Sequence, residues 1–136
     1  MTQEKFTRLL AQNRARADAI ASALASASPD ALCPMLREYI GCRYFLMQEE
    51  MTTDDLIALG DLSTEKLARL QRGGLQYADK NAGCTTAGSS TIKKVLLAMS
   101  LGKAIGMSLD ADDVAYASTI SDLAVLVQRA LSGERT

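Results

Sequence analysis

The stretch over residues 51–74, MTTDDLIALGDLSTEKLARLQRGG, constrains the chain most, because its helix-starting and helix-stopping signals lie so close together. Thr52 and Thr53 precede Asp54 and Asp55, a cap followed by acids that suit the positive end of a helix dipole. Leu56, Ile57 and Leu59 supply an apolar side, and Gly60-Asp61 reads as a break. Ser63 then caps a second helix, in which Leu67 and Leu70 lie three apart on one face and which Gly73-Gly74 stops. The pattern predicts two short helices, 53–60 and 63–72, joined by a tight turn.

The rest of the chain reads as helix by the same signals. Phe6, Leu9, Leu10, Ile20 and Leu24 mark the apolar side of a helix over 3–26, with Ala-rich sequence between them. Ser28-Pro29-Asp30 opens another, expected to run to about residue 50 past Pro34, with Leu36, Tyr39, Ile40, Tyr44 and Leu46 inward. After an irregular insert at 73–90, residues 90–105 form a strongly apolar helix that Gly106 ends. Ile92, Val95, Leu96, Met99, Leu101 and Ile105 are its expected core residues. A short helix follows Asp110, and a last one over 119–131 carries the stripe Ile120, Leu123, Ala124, Val127 and Leu131. Strand formers are sparse and aromatics are only 4% of the chain, so the expected fold class is all-α.

Absent residues exclude whole chemistries. With no His there is no imidazole base, no Ser-His or Cys-His pair and no His metal ligand. Cys33, Cys42 and Cys84 have no C-x-x-C spacing, and the odd count points to reduced thiols. Cys33 and Cys42 lie in apolar helical sequence as packing residues, while Cys84 sits in Gly/Thr-rich sequence that leaves open whether its thiol is exposed and reactive. Nothing groups as a catalytic pair, a metal site or a cofactor site, so an enzyme is not expected. No apolar run approaches the ~20 residues that span a bilayer, and the amphipathic start lacks a signal peptide's apolar centre. A cytoplasmic protein without membrane contact is expected.

The net charge is only −1, but it is unevenly spread. From residue 62 to 103, seven cations (Lys66, Arg69, Arg72, Lys80, Lys93, Lys94 and Lys103) stand against Glu65 and Asp79. From residue 1 to 61, six cations stand against nine carboxylates. A local basic segment inside an acidic chain is what phosphate contacts require.

Several of these residues fall in the order found in the Cro/cI-like (XRE) helix-turn-helix family, which the stretch over residues 36–113 resembles. Thr52-Thr53-Asp54-Asp55-Leu56 stands at the family's lead-in, Ser63 at the start of its recognition helix, and Arg69-Leu70-Gln71-Arg72-Gly73 at its end. Lys103-Ala104-Ile105-Gly106-Met107-Ser108-Leu109-Asp110 is similar to its closing segment. Three features depart from the family: Thr53 replaces the usual Gln, Gly60-Asp61 shifts the turn Gly by one place, and the 73–90 insert is long.

The resemblance implies a repressor-like bundle at 36–113, with an N-terminal helical extension at 1–35 and a C-terminal helix at 114–136 as a dimerisation element. It implies a transcriptional regulator that binds double-stranded DNA as a homodimer, its reading helices about 34–36 Å apart. Ser63, Thr64, Glu65 and Lys66 would reach base edges, and Arg69 bases or phosphate. Thr52, Thr53 and Arg72 would hold the backbone, with Lys80, Lys93 and Lys94 as clamps.

Two other readings stay open. Residues 88–127 also resemble the second half of an acyl carrier protein, with Thr91 at the attachment position and Ser89 or Ser90 as substitutes. The chain is otherwise read as a helical module that binds another protein.

Overall fold

The computed structural model describes residues 2–71 and 89–133. Among these the chain forms six α-helices and no strand, the all-α fold its sequence predicts. They are α1 (Gln3–Leu24), α2 (Pro29–Arg43), α3 (Leu56–Gln71), α4 (Ser89–Ile105), α5 (Ala111–Tyr116) and α6 (Ile120–Leu131), with a 3-10 turn at Gln48–Glu50. The 73–90 insert, Arg72, Lys80 and Cys84 lie outside the described residues, apart from the two that open α4.

α2 sits at the centre, its Leu36, Tyr39 and Ile40 buried. α1 packs on α2 through Ala17, Ala21 and Leu24, and the two alanines are small enough to allow a close approach. α6 lies against α2 with Ile120, Leu123 and Val127 inward, and α3 lies against α4. One cluster of buried residues runs from α1 through α2, α3 and α4 to α6.

The start signals act as their sequence suggests. Ser28 caps α2 by accepting from Ala31 N at 3.3 Å, with Pro29 in the first turn. Asp110 caps α5 through Asp112 N and Asp113 N. Thr119 and Asp122 form a reciprocal capping box at α6, and Asp122 also accepts from Ser118 N at 2.9 Å. Those backbone donors hold the Asp122 carboxyl below its ordinary value.

Three stretches differ from the sequence reading. α2 stops at Arg43, seven residues before the expected end near 50. Phe45 takes a left-handed φ of 58°, and the amides of Tyr44 and Leu46 turn back to the carbonyls of Ile40 and Gly41 at 2.8 Å. A side chain at Gly41 would lie 2.9 Å from the Leu46 carbonyl oxygen, so the fold-back needs glycine there.

The expected pair of short helices is instead one continuous helix, α3. Its cap is Asp55, whose carboxylate accepts from Ala58 N at 2.8 Å, rather than Thr52 or Thr53. A single glycine costs a helix only ~1 kcal/mol relative to alanine, too little to break one that tertiary contacts support. Gly60 is where α4 crosses: a Cβ there would lie 3.1 Å from the Ser90 Cβ. Ser63 caps nothing; it is fully buried in mid-helix and donates to the Tyr44 carbonyl at 2.6 Å.

The third difference is the face that α4 buries. Ser90, Lys94, Leu97, Ala98 and Leu101 point inward, whereas Ile92, Val95, Leu96 and Met99, expected in the core, are exposed. α4 ends at Gly106, φ 76°, and Met107 N returns to the Gly102 carbonyl at 2.8 Å.

Gly60→Val drives a branched side chain into Ser90 and is expected to cost about 1–3 kcal/mol in chemical denaturation; a variant as stable as the parent would mean that α3 and α4 do not touch there. Thr119→Ala should cost ~1 kcal/mol. The Asp122 contribution is complete above the ordinary aspartate range and fades as pH falls through its lowered value, so Asp122→Asn should flatten the acid limb of stability against pH.

Candidate interaction surface

Several of the described residues expected to read DNA are engaged within the fold. Thr52 is exposed, while the half-buried Thr53 accepts from Asp55 N at 3.1 Å. Ser63 faces the interior, and Thr64 donates back to the Gly60 carbonyl at 3.0 Å. Lys66 is ion-paired with Glu50 and its ammonium lies 5.1 Å from the Phe45 ring centroid. Of the described residues of α3 expected to read DNA, Glu65 and Arg69 are exposed, one turn apart, an acid beside a base.

The clamp lysines are engaged too. Lys94 is buried and donates to the carbonyls of Ala115 and Ala117 at 3.1 and 3.0 Å, closing the C-terminal end of α5. Lys93 is half-buried, 5.7 Å from the Tyr44 ring centroid, and burial lowers its pKa. Below it the Tyr44 hydroxyl is buried without a hydrogen-bond partner among the described residues, and burial raises its pKa.

The carrier reading meets a similar obstacle. Ser90 is buried and its hydroxyl donates to the Asp61 carboxylate, so it presents no free hydroxyl for an arm. Thr91 is exposed; the Ser89 side chain lies outside what the structure describes. Cys33 and Cys42 are half-buried, in keeping with packing roles, and burial raises the Cys42 thiol pKa. Among the described residues no group of His, Cys, Asp and Glu gathers to hold a metal ion. No described helix is long and apolar enough to cross a membrane.

What the fold does assemble is an outward apolar face on α4. Ile92, Val95, Leu96 and Met99 are 56%, 45%, 54% and 64% exposed, at the i, i+3, i+4, i+7 spacing that lines up on one side of a helix. The stripe continues into a groove of about 550 Å³ between α4 and the segment leading into α5. Val95 and Met99 line both, joined by Gly102, Met107, Leu109 and Val114, with Lys103 the one charged lining residue among the described residues.

The sequence carried a signal for this face. α4 holds more large apolar residues than one side can bury, since Leu97, Leu101 and Ile105 lie opposite the stripe. An all-round apolar helix is either central or awaiting a partner. The reading of it as central missed the second possibility.

A second groove, of about 570 Å³, separates α1 from α2 and α3. Two of its lining cations are already paired, Arg16 with Glu38 at 3.3 Å and Lys66 with Glu50. The Lys66 hydrogen bond, then that from Met47 N, lowers the Glu50 pKa. Lys66→Met is expected to return the Glu50 carboxyl midpoint toward its ordinary value in an NMR titration. An unmoved midpoint would show that Lys66 is free for another partner.

Comparison with family models, curated proteins and solved structures finds no match to the chain.

Proposed function

We propose that this protein is a helical interaction module whose working surface is the exposed face of α4 with its adjoining groove. The observation that carries the reading is the stripe Ile92, Val95, Leu96 and Met99, left outward on a helix whose opposite side is buried against the core. Full burial of a large aliphatic side chain is worth about 1.5–3 kcal/mol, so four half-exposed ones forgo several kcal/mol that a partner recovers. Contiguous exposed apolar patches of this kind mark binding sites, and a striped helix fits an apolar groove through the same i, i+3, i+4, i+7 anchors. The occupant this chemistry selects is another amphipathic helix. Two methionines, Met99 and Met107, add side chains that adapt their shape to what they meet.

The DNA-reading alternative draws less support. Ser63, Lys66 and Lys94 are engaged within the fold, and α3 offers no separate reading helix.

The test uses fluorescently labelled synthetic amphipathic peptides with Leu at i, i+3, i+4 and i+7, titrated with the protein and with Leu96→Glu/Met99→Glu. Binding by the parent, lost in the variant while its circular dichroism is unchanged, is the expected result. A random duplex pool provides the contrary arm. Salt-sensitive enrichment of a motif that disappears in Arg69→Ala would replace this reading with the DNA one.

A further inference from the structure

We infer that the helix received by this face is α4 of a second copy of the chain, laid antiparallel across it with a two-fold axis between Val95 and Leu96. The inference rests on the interaction reading above and names its partner.

Charge is the first reason. Between Thr91 and Gly102 the charged side chains are Lys93 and Lys94, both directed inward, onto the Tyr44 ring and the α5 carbonyls. Among the described residues the outward face is therefore uncharged for two turns, and an identical face laid on it buries no ion. Lys103, the next exposed charge along the stripe, sets the direction. In an antiparallel pair the two Lys103 side chains stand at opposite ends, about 22 Å apart at ~1.5 Å of rise per residue. That separation is beyond the ~8 Å screening length of physiological salt. A parallel pair would bring them together.

Geometry is the second reason. The stripe is symmetric about its own midpoint, so the two-fold sets Ile92 against Met99 of the second copy and Val95 against its Leu96, each contact made twice. Because Met99 lines the groove, Ile92 of the second copy falls at the groove's mouth. The pairing thus covers the stripe and closes the cavity beside it.

Area sets the strength. Four side chains at about half exposure offer on the order of 400 Å² per copy, against ~800 Å² per partner in a standard stable interface. The association is accordingly weak and reversible.

Sedimentation equilibrium of the intact protein from about 5 to 500 μM tests this. The parent should shift from monomer to dimer across that range, and Leu96→Glu should remain monomeric with unchanged circular dichroism. Ile92→Glu and Met99→Lys should each weaken dimerisation about tenfold or more. The double variant Ile92→Glu/Met99→Lys should recover it, because each introduced carboxylate then meets an introduced ammonium of the other copy. A dimer that Leu96→Glu leaves intact, or a double variant that stays monomeric, overturns the antiparallel α4 pairing. A parent that is monomeric throughout but still binds the amphipathic peptides overturns the second copy as partner and leaves the interaction reading standing. A monomer that binds no peptide removes both.

Discussion

The contact between α3 and α4 governs much of what the rest of the molecule can do. Gly60 lets α4 come within a methyl group's width of α3, and the Ser90 hydroxyl reaches the Asp61 carboxylate across that gap. The pair fixes the rotation of α4 about its own axis. With that rotation set, Lys94 points at the last carbonyls of α5, where an ammonium meets the negative end of the helix dipole. Seated in this way, α5 delivers the chain to a short antiparallel bridge. Leu56 N donates to the Ser118 carbonyl at 2.8 Å, and Ile120 N to the Asp54 carbonyl at 3.0 Å. Arg37 of α2 holds the same segment through Asp54 and the Met51 carbonyl. The start of α6 is thereby placed against α2.

Magnitudes explain why polar contacts, not apolar burial, decide which way α4 faces. Turning it half-way round would bury Ile92, Val95, Leu96 and Met99 and expose Leu97, Ala98 and Leu101. The exchange of apolar area is worth a few kcal/mol at most, because each side gives up what the other gains. Against it stands the loss of hydrogen bonds at Ser90 and Lys94, about 1.5–3 kcal/mol for each bond to a charged group. A steric clash adds to that, since only the small Ser90 fits over Gly60.

This balance also marks the limit of what the sequence discloses. The helix starts after Ser28, Asp110 and Thr119 were legible because the signal and the bond it makes lie within a few residues. The α6 stripe was legible because only one of its sides is apolar. The turn expected at Gly60-Asp61 failed because that glycine serves a neighbour 30 residues away, and local pattern cannot distinguish a helix break from a helix crossing. The end of α2 was missed for the converse reason. Phe45 occupies a left-handed position where glycine would have announced the stop, and packing holds it there, its ring edge-on to Phe6 at 5.8 Å. The face of α4 was undecidable from periodicity alone, since both sides satisfy it.

The basic segment teaches a related lesson about charge. Lysines gathered along 66–94 suggest a surface built for phosphate, yet a count of cations does not record where their ends go. Lys66 pairs with Glu50 and covers Phe45, Lys93 covers Tyr44, and Lys94 closes a helix. A four-carbon stem lets each lysine lie along apolar surface and still deliver its charge to an internal acceptor. Turning Lys93 and Lys94 inward is what leaves the outer side of α4 without charge as far as Gly102. The same residues that suggested a nucleic-acid surface therefore create, by pointing away, the apolar face proposed here for a second helix.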